Sequence, residues 1–132
     1  MVPSSSDDFE FTEIPIGNLP LYSPDFDRDY PPEAQALKEA LAASDAVLFI
    51  TPEYNRSIPG ALKNAVDWAS RPWGQNSFDQ MPAAVIGASV GKIGTAVAQQ
   101  SLRATLSFCN ARKFMQEFRI HVERVLTVIP RT

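Results

Sequence analysis

The sequence predicts an α/β protein whose strands form a parallel sheet with helices on both faces. Residues 46–50 and 83–88 are short apolar runs without the polar alternation of a half-exposed strand. Strands of this kind are covered on both sides, as in parallel sheets flanked by helices. Each run is followed by apolar residues at helical spacing, and an alternation of strands and helices is typical of parallel α/β proteins.

Local signals place the other elements along the chain. The polar, Ser-rich residues 1–8 are expected to form a disordered end, and residues 9–132 to form a single domain. Phe9, Phe11 and Ile14 suggest a first short strand. Proline in the first turn and apolar residues at helical spacing predict helices over residues 32–45, 60–69, 95–108 and 114–129.

A proline-rich stretch separates the first strand from the first helix. Pro15, Pro20, Pro24, Pro31 and Pro32 exclude a long helix here. The resulting extended loop carries five large apolar residues, Leu19, Leu21, Tyr22, Phe26 and Tyr30. Large apolar side chains in a loop are expected to pack against another protein surface. The loop lies over the helices of its own domain, or it forms a subunit contact or one wall of a ligand cleft.

Composition and charge exclude several classes of function. The chain has 132 residues, 45% of them hydrophobic, which is enough for one domain with a buried core. Its net charge of −3 and its scattered basic residues argue against nucleic acid or an anionic membrane as a partner. No apolar run approaches the roughly 20 residues that a membrane span requires. A cytoplasmic location is therefore the expectation.

The single cysteine and the single histidine are weak candidates for chemistry. Cys109 cannot form an internal disulfide and falls on the apolar side of a predicted helix, where it is either a buried structural thiol or a reactive one. His121 lies on or beside the apolar side of the last predicted helix, which suggests a structural or exposed role. Glu53 and Asp67 do not form a credible catalytic pair, because Asp67 falls well inside a helix.

Two loops follow the two apolar strands and are the first candidates for a ligand site. In a parallel sheet, the loop after Thr51 and the loop after Ala88 leave the same edge and can form two walls of one cleft. Each can present backbone N–H groups near the start of the next helix to an anion or to the edge of a heterocycle. Gly91 and Gly94 let the second loop approach a ligand closely.

The residues around these loops carry a family resemblance. The pattern Pro52-Glu53-Tyr54-Asn55-x-Ser57-x-Pro59-Gly60-x-Leu62-Lys63-Asn64-Ala65-Val66-Asp67-Trp68, then Ser70-Arg71-Pro72, precedes Ser89-x-Gly91-x-x-Gly94. It resembles the flavodoxin-like NAD(P)H-dependent FMN reductases, a family that includes quinone, chromate and azo-dye reductases. The resemblance covers roughly residues 9–110.

The resemblance implies a flavodoxin-like fold, bound FMN, NADPH or NADH as hydride donor, a small-molecule acceptor such as a quinone, and a homodimer or homotetramer. It assigns flavin contacts to Pro52, Glu53, Tyr54, Asn55, Ser89 and Gly91. It implies no metal and no catalytic side chain, because hydride transfer is the cofactor's own chemistry and the protein binds and orients it.

Two segments of the family pattern have no counterpart in the sequence. The family begins with a strand and a Gly-Ser-Leu-Arg-like phosphate loop, and nothing before Phe9 resembles them. The family also has a fifth strand before its last helix, whereas here residues 108–111 pass almost directly into the segment that begins at Arg112. We therefore expect a flavodoxin-like sheet that is incomplete at the N-terminus and near the C-terminus, without the FMN phosphate site.

The missing first strand is the central one in the flavodoxin order 2-1-3-4-5. Three outcomes are open: the strand near Phe9 moves in to pair with residues 46–51, another chain supplies the pairing, or the chain is a shortened product that does not hold FMN as its relatives do. Two functions follow. The chain is an FMN-dependent NAD(P)H oxidoreductase, or it is a non-catalytic truncated domain without usable FMN affinity.

Overall fold

The computed structural model describes residues 10–113 and 124–128, which form five strands, three α-helices and one short 3-10 helix. In chain order the elements are β1 (Glu10–Ile14), the 3-10 helix (Pro24–Arg28), α1 (Pro32–Ala42), β2 (Ala46–Ile50), α2 (Gly60–Ser70), β3 (Pro82–Ile86), α3 (Ala96–Phe108), β4 (Arg112–Lys113) and β5 (Arg124–Val128). The predicted disordered end, residues 1–8, lies outside the described residues. None of the described helices has both the length and the apolar character needed to cross a bilayer.

The strands form one sheet in the order β1-β5-β2-β3-β4, and every pairing is parallel. This confirms the predicted parallel α/β class. The central position between β1 and β2 is filled by β5, so that Leu126 aligns with Thr12 on one side and with Val47 on the other. The chain itself therefore supplies the missing pairing, an arrangement that none of the three expected outcomes includes.

The helix predicted over residues 114–129 is wrong where the structure describes it, because residues 124–128 form β5. The sequence there, Arg-Val-Leu-Thr-Val, is rich in β-branched residues, which favour strands. A strand between β1 and β2 also completes two hydrogen-bonded ladders. The stabilisation from these contacts with distant residues overrides the local preference for a helix. Residues 114–123 and 129, with His121, lie outside the described residues.

The region after α3 also differs from the prediction. Arg112–Lys113 form the two-residue strand β4, which pairs with Pro82 and Ala83, so the expected direct passage into a helix is wrong at these two residues. Asn110 has a left-handed φ of 57°, its N–H donates to Ser107 O at 3.2 Å, and the next N–H, of Ala111, donates to Leu106 O at 3.0 Å. This is a Schellman motif that ends α3. Asn110 therefore terminates α3.

The core lies between β2, β3 and the inner sides of the three helices. Val47 and Phe49 of β2 are fully buried and pair with Ala83 and Val85 of β3, which places the four on one face of the sheet. The helices contribute apolar residues at helical spacing to the same cluster: Ala34, Leu37 and Leu41 from α1, Leu62, Ala65, Val66 and Ala69 from α2, and Ala98, Leu102 and Leu106 from α3.

The proline-rich stretch lies over α2, the first of its two expected arrangements. The rings of Tyr22, Phe26 and Tyr30 surround the buried Trp68, with centroid distances of 5.1, 5.9 and 5.1 Å. The Trp68 indole N–H donates to Pro20 O at 2.7 Å. Aromatic packing and this hydrogen bond hold the stretch against the helix.

Candidate functional site

The two candidate loops begin side by side at the carboxyl edge of the sheet. β2 and β3 are parallel neighbours, with Ile50 aligned to Ile86, and the N–H of Thr51 donates to Ile86 O at 3.0 Å. We define the first loop as residues 52–57 and the second loop as residues 87–94. Because both leave adjacent parallel strands at the same end, they border the crevice where open α/β sheets bind ligands.

A tight turn shapes the first loop. Tyr54 and Ser57 exchange two backbone hydrogen bonds of 2.9 Å, and the residues between them, Asn55 and Arg56, have left-handed φ values of 50° and 63°. Asparagine adopts this conformation more readily than most residues, because its short polar side chain bonds locally. The turn leaves the Tyr54 side chain 48% exposed and Asn55 exposed as well, while Pro52 is half-buried.

Glu53 points away from that exposed surface and caps α3. Its carboxylate, whose side chain is only 8% exposed, accepts hydrogen bonds through Oε2 from the backbone N–H groups of Val97 at 3.1 Å and Ala98 at 3.0 Å. Thr95, at the local N-cap position of α3, makes no capping bond with its side chain. A carboxylate at a helix start satisfies free N–H groups and interacts favourably with the helix dipole.

Gly87 brings the start of the second loop against the first strand–loop junction. A Cβ atom there would overlap the carbonyl oxygen of Thr51 and would lie 2.6 Å from Thr95 Oγ1. Only glycine permits this approach of two backbones. Thr51 and Thr95 are both buried at this junction.

The rest of the second loop is exposed. Ser89 Oγ accepts from the N–H of Gly91 at 3.3 Å, and Gly94, with a left-handed φ of 62°, donates to Gly91 O at 2.9 Å. Residues 88–93 are all exposed, including the apolar side chains of Val90 and Ile93. The local turns thus hold Ser89 and Gly91 at the surface, on the same sheet edge as Tyr54 and Asn55.

One expectation about this edge does not hold for α3. The sequence predicted that each loop can present N–H groups near the start of the next helix to an anion or to the edge of a heterocycle. In α3 these groups are already bonded, since Val97 and Ala98 donate to Glu53 and Ala96 donates to Ile93 O at 3.4 Å. The negative charge at the start of α3 is therefore supplied by the Glu53 carboxylate of the first loop.

A cleft of about 830 Å³ that sequence reasoning missed lies at the other ends of α2 and α3. It is bordered by Lys63, Val66, Asp67, Ser70, Arg71, Trp73, Gly74, Gln75, Asn76, Asp79, Thr105, Phe108 and Cys109. Trp73 and Phe108 are 82% and 81% exposed, and Lys63 pairs with Asp67 at 2.6 Å. Trp73, an aromatic residue in the mostly polar stretch 73–80, is a local sequence signal for this cleft.

Cys109 lies buried at the edge of this cleft. Its burial raises the pKa of the thiol, although a hydrogen bond with Ser70 acts in the opposite direction. A raised pKa disfavours the reactive thiolate, which agrees with the structural alternative. Among the residues that the structure describes, no group of three or more His, Cys, Asp or Glu side chains is arranged to hold a metal.

Comparison with known proteins identifies a matching family and several relatives. The family model for NADPH-dependent FMN reductases matches residues 2–123. A 2-hydroxy-1,4-benzoquinone reductase from Burkholderia sp is 56% identical over 101 residues, which are 76% of this chain and 55% of that protein. A quinone reductase from Pseudomonas putida is 49% identical over 96 residues, which are 72% of this chain and 52% of the relative.

A solved structure extends the similarity to the fold. It is FerB, a flavoenzyme NAD(P)H:(acceptor) oxidoreductase from Paracoccus denitrificans, with a TM-score of 0.77 and 50% sequence identity over 85% of this chain and 62% of FerB. The chain spans about half the length of the curated relatives it matches. Because the family model covers most of the sequence, the chain belongs to the NADPH-dependent FMN reductase family and has its flavodoxin-like fold.

Proposed function

We propose that this chain is an FMN-containing oxidoreductase that uses NADPH or NADH to reduce quinones or similar small acceptors. The observation that carries the proposal is the convergence of the two motif-bearing loops at one edge of the parallel sheet, where Glu53 of the first loop bonds to Val97 and Ala98 at the start of α3. Relatives named as quinone reductases support the reaction class.

The exposed groups of the two loops suit the ring system of FMN, and the first turn of α3 is not available for its phosphate. Tyr54 offers a half-exposed aromatic face, and Gly91 offers exposed backbone without a Cβ atom. Aromatic side chains and exposed backbone that a ring can approach closely suit a planar heterocycle. A phosphate would need free N–H groups, and those in the first turn of α3 are bonded to Glu53 and Ile93.

The residues of the two loops would bind and orient the ring. The chemistry that FMN would supply there is hydride acceptance from the nicotinamide and electron transfer to the acceptor. In this proposal Pro52, Tyr54 and Asn55 line one side of the ring, and Ser89 and Gly91 line the other. Glu53 joins the first loop to the start of α3, on the side away from the exposed surface. No side chain needs to act as an acid or base, so rigid placement of the loops is the main contribution of the protein.

Assembly and location belong to the same proposal. We infer a homodimer or homotetramer in the cytoplasm, supported by the family resemblance and by the single cysteine, which suits a reducing compartment. Size-exclusion chromatography with light scattering tests the assembly, and a mass of one chain at micromolar concentration would overturn it.

The test of function is FMN binding together with turnover. The purified chain is mixed with micromolar FMN, and the visible flavin spectrum and the oxidation of NADPH or NADH with 1,4-benzoquinone are recorded. We expect a perturbed flavin band and quinone-dependent oxidation. A folded chain that retains no flavin and oxidises no NAD(P)H would overturn the proposal.

The second candidate is a non-catalytic flavodoxin-like domain without usable FMN affinity. It is favoured by one observation, the commitment of the first-turn N–H groups of α3 to Glu53, which removes one place for a phosphate. Lumiflavin, which has the ring but no phosphate, separates the two candidates. Binding of lumiflavin at the two loops supports the ring site, whereas no binding of either flavin favours the non-catalytic domain.

A further inference from the structure

Glu53 makes a connection between the two loops that its place in the flavin-facing motif does not suggest. Its carboxylate bonds to N–H groups 44 and 45 residues further along the chain, at the start of the helix that follows the second loop. The side chain is almost buried, and Arg56 contacts its other oxygen at 3.4 Å from the solvent side. The carboxylate is therefore enclosed between its own loop and α3.

The start of α3 depends on this contact. The helix has no acidic residue in its first turn and no local side-chain cap. Thr95, which stands at the N-cap, instead accepts from Gln99 Nε2 at 2.9 Å through its hydroxyl oxygen. The N–H groups of Val97 and Ala98 both donate to Glu53, whose carboxylate also supplies the negative charge that a helix start favours.

The same contact links the first loop to the helix that follows the second loop. Tyr54, the next residue after Glu53, is held in the tight turn by its two bonds to Ser57. On the other side, the second loop enters α3 through Gly94 and Thr95, directly before the bonded N–H groups. A shift of Glu53 would therefore move Tyr54 relative to Ser89 and Gly91.

We propose that Glu53 is the positioning residue of the flavin ring site, and that it sets the gap between the two loops by capping α3 from the first loop. This inference rests on the proposed function, because it assigns the gap to FMN. Glu53 acts through backbone groups and contacts no reacting atom.

The test compares Glu53→Ala, Glu53→Gln and the surface control Glu39→Ala. Gln keeps an oxygen that can accept both N–H groups, whereas Ala keeps none. Glu39 is an exposed carboxylate on α1 that bonds to Gln35 at 2.9 Å, away from both loops. For each variant, amide hydrogen exchange at Val97 and Ala98 is measured by NMR without flavin, and the FMN dissociation constant is measured by titration of the folded protein.

We expect Glu53→Ala to speed exchange at both amides and to weaken FMN binding about tenfold or more, the scale of one charge-assisted hydrogen bond. Glu53→Gln should keep both the exchange rates and the FMN dissociation constant within about threefold of those of the parent chain. Glu39→Ala should have the same values as the parent chain. Faster exchange with unchanged FMN affinity would make Glu53 merely structural and overturn the inference. Unchanged exchange would overturn it as well. If the parent chain binds no FMN, the proposed function fails first, and the exchange data still report whether Glu53 holds α3.

Discussion

Gly87 lies directly against the carbonyl oxygen of Thr51, at the point where both loops leave the sheet. A methyl group at Gly87 would overlap that oxygen and lie 2.6 Å from Thr95 Oγ1. The neighbours are backbone and a buried side chain, so they have little freedom to move aside. The spacing of the two loops thus depends on the absence of a side chain at Gly87, where the loops leave the sheet, and on the Glu53 carboxylate, which bonds to the start of α3.

Replacing this glycine should destabilise the protein. We expect Gly87→Ala to lower the free energy of unfolding by about 1–3 kcal/mol, the usual cost of overpacking. Urea denaturation measures the change. The matched control is Gly17→Ala, because a Cβ at Gly17 would have no neighbour within 4 Å. Equal stability of the two variants would contradict the close approach of Gly87 and Thr51.

The two tryptophans provide a second matched pair. Trp68 is fully buried and its indole N–H donates to Pro20 O at 2.7 Å, whereas Trp73 is 82% exposed. We expect Trp68→Phe to cost about 1–3 kcal/mol through lost packing and one lost hydrogen bond. Trp73→Phe should change stability by less than about 0.5 kcal/mol, as surface substitutions usually do.

Urea unfolding curves of both variants measure this difference. The emission of Trp73→Phe, which retains only Trp68, should be that of a buried indole. A large stability loss in Trp73→Phe, or none in Trp68→Phe, would contradict the packing of the proline-rich stretch on α2.

The central strand makes a prediction about the backbone. Leu126 lies in β5 between Thr12 and Val47, so its N–H belongs to a ladder inside the sheet. Leu126→Pro removes that donor, and we expect a loss of about 1–3 kcal/mol or more, because a buried acceptor is left without a partner. Leu126→Val keeps the N–H and serves as the control. Circular dichroism melting that shows the same loss for both variants would contradict the backbone role.

The buried thiol of Cys109 should make the stability of the protein depend on pH. Burial raises the pKa of the thiol above the value in the unfolded chain. The folded state then holds the proton more tightly, so this residue's contribution to stability is complete below the unfolded pKa and declines as pH rises through the folded one. We expect the stability difference between the parent chain and Cys109→Ala to be constant up to about pH 8 and to shift against the parent chain above it.

Urea unfolding of both proteins between about pH 7 and 10 measures this difference. Subtracting one free energy of unfolding from the other cancels the effect of tyrosine and lysine titration, because both proteins contain these residues. A constant difference over the whole range would contradict the burial of the thiol.

Local signals in the sequence were sufficient for the elements that depend on them. The Pro32 start of α1 and the apolar run of β2 lie where their residues predict, and β3 covers Pro82–Ile86, so the predicted apolar run 83–88 extends two residues into the second loop. Contacts between distant residues were not predictable in this way. Glu53 reads as a flavin-facing loop residue, and its bonds to Val97 and Ala98 follow only from the folded arrangement.

The C-terminal strand shows the same limit. The residues of β5 fit a helical repeat together with Phe114 and Phe118, and their β-branched composition also fits a strand. The open position between β1 and β2 decides between the two, and that position is a property of the whole sheet. The cleft near Trp73 likewise arises only when the ends of α2 and α3 come together.

The most direct test of the central claim is a titration of the isotopically labelled chain with FMN, followed by two-dimensional amide NMR. We predict that the shifted signals cluster in residues 52–57 and 87–94, with little change at Trp73 and Phe108 beside the cleft at the other ends of α2 and α3. Shifts that cluster at that cleft, or no shifts at micromolar FMN in a folded chain, would contradict the assignment of the flavin ring to the two loops.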